Sequence, residues 1–155
     1  MKTLDQVVLD SPLFAGLCEG CPEQLAGCSK TIGFEAGETL FREGEPADVF
    51  YILRKGRVAL ELYVPGRGAM TIETIEAGDV VGWSWLFPPH TWHFDARAVA
   101  PVRAIVVNGA CLRTKCEADP LLGYELMTRF SAVLLERLNA TRLRLADLYG
   151  GGRGG

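Results

Sequence analysis

Several things are missing from this sequence at once. No apolar stretch approaches the ~18 residues of a membrane-spanning helix, so no such span is expected. The opening MKTLDQVVLD carries acidic residues and no long apolar core. It does not read as a signal peptide, and the cytoplasm is the expected location. Excess positive charge is absent: 16 Lys and Arg against 19 Asp and Glu leave a formal net charge of −3. That balance argues against the general electrostatic grip with which proteins hold nucleic acid. No phosphate-cradling GxxxxGK, no serine–histidine–acid order and no carboxylate pair in an apolar surround stands out, so no enzyme chemistry is expected. Histidine is scarce, with only His90 and His93, and no arginine lies between Arg67 and Arg97. The five cysteines are an odd number, which does not suggest a disulfide framework.

What remains is a single-domain chain of 155 residues with an ordinary apolar share. Leu4, Val7 and Val8 recur at helical spacing, and Ser11-Pro12 reads as an N-cap and first turn of a further short segment. Residues 1–30 are therefore assigned to N-terminal helices. From Thr31 to about residue 108 the texture changes to short Val-, Ile-, Phe- and Tyr-rich runs punctuated by Gly33, Gly37, Gly44, Gly56, Gly66, Gly68, Gly78 and Gly82. This is the pattern of short antiparallel strands in a sandwich or barrel. VFYILRKGRVALELYV reads as a hairpin turning at Lys55-Gly56, PGRG at 65–68 as a second turn, and DARAVAPVRAIVV as the closing strands.

After residue 108 the period becomes helical. Asp119-Pro120 is a helix start, and the pattern runs to 149, where GGGRGG at 150–155 is expected to stop it and form a flexible tail. Within that helix Met127, Leu134, Leu138, Thr141, Leu145 and Leu148 follow 7-4-3-4-3 spacing, a coiled-coil-like seam. The seam predicts a homodimer formed through this helix.

The order of helices, glycine-punctuated strands, short cradle and long helix resembles the cyclic-nucleotide-binding domain of the CRP/FNR superfamily. The residues that carry it are FEAGETLFREGEPADVFYILRKGRVAL, IEAGDVVG at 75–82 and the final helix. The resemblance spans about residues 10–149. It implies a mainly β fold with flanking helices, a double-stranded β-helix or jelly-roll-like β-roll followed by a long C-terminal helix, in one domain over 1–149. It also implies that the segment after IEAGDVVG is a phosphate-binding cassette of the form Gly-Glu-Leu, a variable stretch, then Arg-Ser/Thr-Ala. There the glutamate meets the ribose, and the arginine meets the cyclic phosphate.

Here the segment is GWSWLFPPHTWHFDARA. Gly82 matches the first glycine, but Trp83 stands where the glutamate is expected and Ser84 where leucine is usual. Leu86 and Phe87 match the apolar pair, while the arginine–serine pair falls at Trp92-His93. The chain also ends where the family's helix-turn-helix would begin, so direct DNA binding is not expected. Three readings of the cradle stay open. It binds a cyclic nucleotide through Ser84, backbone N–H groups near Gly82–Leu86 and His93. Alternatively Trp83, Trp85, Trp92 and Phe94 fill their own pocket. Or the pocket is retuned for an apolar or flat aromatic ligand, with Ser84, His90, His93 and Asp95 as its polar groups. The candidate ligand-binding residues are Gly82, Trp83, Ser84, Trp85, Leu86, Trp92, His93 and Phe94.

Cys18, Cys21 and Cys28 form a C-x2-C-x6-C array. It is similar to the N-terminal cysteine cluster of FNR-type oxygen sensors, which implies an iron–sulfur or other metal site. The fourth ligand of that type would fall near Ile105, and Cys111 and Cys116 come only later. The plainer reading makes Cys28 and Cys111 small buried apolar residues and Cys18 and Cys21 surface thiols; a redox dithiol at Cys18/Cys21 is a further one. Taken together, the sequence predicts a stand-alone sensor or regulatory domain that binds a non-standard small ligand or a partner protein rather than DNA or a membrane. The alternatives are a redox or iron–sulfur sensor, a genuine cAMP or cGMP module, and a ligand-free accessory subunit of a redox enzyme complex. No cofactor is specified.

Overall fold

The computed structural model describes residues 4–151. The chain opens with α1 (Leu4–Asp10), a 3-10 turn (Pro12–Phe14) and α2 (Cys21–Gly27). Ser11 precedes the 3-10 turn, as its sequence suggests, but its side chain caps nothing and is buried. Eight strands follow: β1 (Ser29–Phe34), β2 (Thr39–Phe41), β3 (Val49–Lys55), β4 (Arg57–Val64), β5 (Gly68–Glu76), β6 (Val80–Val81), β7 (Asp95–Ala98) and β8 (Val102–Asn108). They form two antiparallel four-stranded sheets, ordered β1-β8-β3-β6 and β2-β7-β4-β5. Two helices complete the chain, α3 (Gly109–Ala118) and α4 (Pro120–Gly151). The expected β-roll and long helix are thus present.

The centre of the first sheet, β3 and β8, is buried on both faces, which is why FYIL in β3 is continuously apolar rather than alternating. Phe50 and Ile52 point to one side, where they pack with Ile105, Val107, Phe14, Leu25, Leu112, Leu122, Leu126 and Phe130. Tyr51 and Leu53 point to the other, into the roll, where they meet Phe41, Val58, Leu60, Ile75, Ala96 and Ala104. One core therefore glues helices to sheet, and a second fills the roll.

The hairpin expected at Lys55-Gly56 is not one. β3 pairs with β8 and β6, and β4 pairs with β5 and β7, so Lys55-Gly56 carries the chain from one sheet to the other. Gly56 has φ 97°, and a Cβ there would lie 2.3 Å from the carbonyl oxygen of Pro101. A side chain is excluded at this crossing by conformation and by space. The turn at 65–68 does close a hairpin, with Val64 opposite Gly68.

α4 begins at Pro120, behind Asp119, whose carboxylate accepts the Leu122 N–H at 3.4 Å and a hydrogen bond from Gln24 Nε2 at 2.9 Å. The helix does not stop at Gly150 but continues through Gly151; the rest of the expected tail lies outside the described residues. Leu122, Leu126 and Phe130 are fully buried, and Val133 packs behind them. The seam residues occupy a different face: Met127, Leu138, Thr141, Leu145 and Leu148 are exposed and Leu134 half-buried. Among the described residues no helix is long and apolar enough to cross a membrane.

Candidate functional site

The cradle leaves the first sheet at β6 and enters the second at β7. Gly82 makes the first bend with φ 96°, and a Cβ there would lie 2.6 Å from the Trp92 ring. Glycine is required because the indole lies against the backbone. Ser84–Leu86 form a 3-10 turn, and Pro88-Pro89 is a cis peptide. Residues 90–92 are then stitched to the loop before β3: the Ala47 N–H donates to the His90 carbonyl, the Trp92 N–H to the Glu45 carbonyl, and the Gly44 N–H to the Trp92 carbonyl, at 2.7, 3.0 and 2.9 Å. EGEPAD thus acts as a backbone frame for the cradle.

The three tryptophans do not share one pocket. Trp92 enters the roll and stacks on Phe41, with ring centroids 3.7 Å apart and planes 9° from parallel. Trp85 turns the other way, fully buried among the helices, 5.0 Å from Phe50 and edge-on to Phe130 at 5.4 Å. Its carbonyl accepts a hydrogen bond from Arg113 of α3, and its indole N–H has no partner among the described residues. Trp83 lies between the two cores, half-buried, and meets Phe94 edge-on at 6.0 Å. Gly82 and Ser84 are buried, Leu86 is half-buried and Phe94 is nearly buried. His93 is exposed and His90 half-buried in a turn with φ 55°, so neither histidine joins the aromatic contacts.

A further residue at the site, with no mark in the sequence pattern, is Arg137. From α4 it reaches back over the cassette, its Cζ 4.8 Å from the Trp83 ring centroid. It donates to the Val80 carbonyl at 2.5 Å and lies 3.5 Å from a Glu73 carboxylate oxygen. Its side chain is 11% exposed, and Nη1 is buried without a hydrogen-bond partner among the described residues. Burial pulls its pKa below the ordinary arginine value, while Glu73, Asp79 and Glu136 oppose that pull, and an arginine remains a cation regardless. A cation therefore does stand beside Trp83, and it comes from the long helix and not from residues 82–94. Nothing local in the sequence marks it, because an arginine in a helix ordinarily faces solvent.

The cysteines are arranged differently from the metal-ligand set and from free thiols, while Cys18 and Cys21 do face each other as a dithiol pair would. Cys18 pairs with Cys21 and Cys28 with Cys111, with Cα–Cα separations of 5.3 and 5.9 Å. Cys111 does reach Cys28, because α3 returns the chain to the start of β1. Cys21 is buried rather than a surface thiol. The expected three-thiolate set of Cys18, Cys21 and Cys28 is not assembled. Among the described residues no group of three or more His, Cys, Asp or Glu is placed to hold a metal ion. These residues therefore do not fit an iron–sulfur cluster.

A family model described as the cyclic nucleotide-binding domain matches residues 31–119. The chain is 27% identical over 145 residues to the CRP-like cAMP-activated global transcriptional regulator of Mycobacterium tuberculosis, covering 94% of this chain and 63% of that protein. The chain thus spans somewhat under two thirds of the curated relative's length. A crystal structure of a protein classed as cyclic nucleotide-binding from Geobacter metallireducens GS-15 is 30% identical with a TM-score of 0.77, covering 89% of this chain and 99% of that one. A cyclic nucleotide-binding domain from Methylobacillus flagellatus KT has a TM-score of 0.78 at 20% identity, covering 93% and 81%.

Proposed function

This chain belongs to the cyclic nucleotide-binding domain family, and we propose that it is a regulatory domain whose cassette has been rebuilt for a ligand other than cAMP or cGMP. The observation that carries this reading is Arg137 over Trp83 with Nη1 unpaired. A buried donor without a partner is costly, and an acceptor on a ligand offsets that cost. The indole beside it suits a flat partner. The ligand we propose is a small flat molecule with an anionic acceptor, taken by Arg137 Nη1 alongside the Trp83–Arg137 stack rather than between its two members.

Cyclic nucleotides fit less well. The resemblance aligns Trp92 with the cassette arginine and Trp83 with the ribose-binding glutamate, and Trp92 is committed to Phe41. Loss of two charge-assisted contacts, each worth about 1.5–3 kcal/mol, removes about two to four decades of affinity. Ligand at the junction of cassette and α4 would alter how the helix sits on the roll, and a partner, a second copy included, would read that change. With a net charge of −3 the chain is not proposed to grip DNA itself.

The test is a thermal-shift titration. Salicylate, a flat aromatic carboxylate, should raise the midpoint of the wild type and leave Arg137→Met unmoved. At about 100 times its dissociation constant a ligand adds ~2.7 kcal/mol, several degrees for a domain of this size. Neither cAMP nor cGMP should give a saturable shift up to millimolar. A shift at micromolar cyclic nucleotide would overturn the reading and place the protein among ordinary cyclic-nucleotide sensors.

A further inference from the structure

Cys28 and Cys111 lie 83 residues apart in the chain and join two elements that have no other covalent link. Cys28 caps the C-terminal end of α2, one residue before β1; Cys111 is the third residue of the ten-residue α3. Both line a surface cavity of about 370 Å3, together with Ser29, Lys30 and Asn108. We infer that the Cys28–Cys111 pair is a thiol–disulfide exchange site for low-molecular-mass thiols and disulfides, and that its oxidation state sets how firmly α3 is tied to α2 and β1. This inference does not depend on the ligand proposed above.

The two sulfurs are unequal. Cys28 is 8% exposed, whereas Cys111 is half-buried at the cavity wall, so a small reagent meets Cys111 first. Cys111 also sits in the first turn of α3, where the helix dipole favours the thiolate. With the pair reduced, the Cys111 thiolate attacks one sulfur of a small disulfide RSSR. The S–S bond breaks, one RS− leaves and a Cys111–SR mixed disulfide remains. Cys28 then gives its proton to solvent, and its thiolate attacks the Cys111 sulfur and expels the second RS−. Two protein thiols and one RSSR become one protein disulfide and two RSH. An excess of RSH runs the same steps backwards.

The consequence lies in the joint between roll and helix. α3 already holds α2 through Lys115, whose Nζ donates to the Gln24 carbonyl at 2.9 Å, and holds the cassette through Arg113 and the Trp85 carbonyl. Closing Cys28–Cys111 adds a covalent tie on the same side and restrains the element that leads into α4.

The probe is a glutathione redox buffer applied to the full chain, read by peptide mass spectrometry. In oxidised buffer the peptides holding Cys28 and Cys111 should be found linked, and in reduced buffer free. Amide exchange over 109–118 should be at least ~10-fold slower in the oxidised protein. In Cys28→Ser, Cys111 should collect a stable glutathione adduct and react with iodoacetamide about 10-fold faster than Cys116, an internal control whose thiol is pushed up by burial and by Asp119 and Glu117. If wild-type protein never yields the linked peptide at any ratio of the buffer, the inference is wrong, whatever the variant does. Linkage without a change in exchange over 109–118 would equally overturn the proposed control of α3.

Discussion

The guanidinium of Arg137 sits over the Trp83 indole with Cζ 4.8 Å from the ring centroid, joining the middle of α4 to the first turn of the cassette. Because Arg137 also holds the Val80 carbonyl and approaches Glu73, its removal strands a buried carbonyl and a half-buried carboxylate. Arg137→Ala should cost about 2–4 kcal/mol in urea unfolding. The contact with Trp83 itself is the smaller part. A double-mutant cycle of Arg137→Ala with Trp83→Leu should return a coupling of about 0.5–2 kcal/mol. A coupling indistinguishable from zero would mean that ring and cation are merely neighbours.

Gly82 and Trp92 form a second coupled pair. Gly82→Ala forces a Cβ to 2.6 Å from the indole at a backbone angle that L residues rarely adopt. It should cost about 2–4 kcal/mol. Trp92→Ala empties the stack on Phe41 and should cost about 3–5 kcal/mol. Since the second change removes what the first collides with, the double variant should be about 1–2 kcal/mol more stable than the sum predicts. Strict additivity in chemical denaturation would show that the strain at Gly82 is all in φ.

The strands, their glycine turns and the start of α4 were legible because each is written locally. Gly44, Gly56, Gly78 and Gly82 all adopt positive φ, and Asp119-Pro120 does open the helix. Pairing is not local. Lys55-Gly56 looks like a hairpin turn, and only β8, some fifty residues on, reveals that β3 has a different partner from β4. The same limit applies at the site. The 3-10 turn at 84–86 sends Trp85 to the helices while Trp92 enters the roll, a division that no spacing rule encodes. Arg137 and the Cys28–Cys111 pair are long-range coincidences for the same reason.

Asp119 supplies a pH signature. Its hydrogen bond from Gln24, helped by the Leu122 and Leu121 N–H groups and opposed by slight desolvation, holds its carboxyl below the ordinary carboxylate value. A carboxyl lowered by folding stabilises the native state above its unfolded pKa, and that contribution is lost as pH falls through the folded value. Asp119→Asn should therefore be less stable than wild type near pH 7, with the gap closing below about pH 4. Urea midpoints measured from pH 7 to pH 3 check this. A gap that stays constant across the range would remove Asp119 from the acid limb.

The outer half of α4 carries the last prediction. The helix packs on the roll through Leu122, Leu126, Phe130 and Val133, whereas Leu138 and Leu145 are 47% and 49% exposed on another face. Leu148 beyond them is 75% exposed. Leucines repeated along a helix in this way offer a seam for a second helix, and we propose that a second copy of the chain covers it. Replacing Leu138 and Leu145 together by Glu places like charges across a symmetric contact, where every charge meets its own copy. Sedimentation velocity at micromolar concentration should give a dimer for the wild type and a monomer for the double variant. Neither side chain is buried within one chain, so the monomer should keep its β-rich circular dichroism spectrum. A wild type that sediments as a monomer would leave the seam to a different partner, and a variant that remains dimeric would place the dimer contact elsewhere on the molecule.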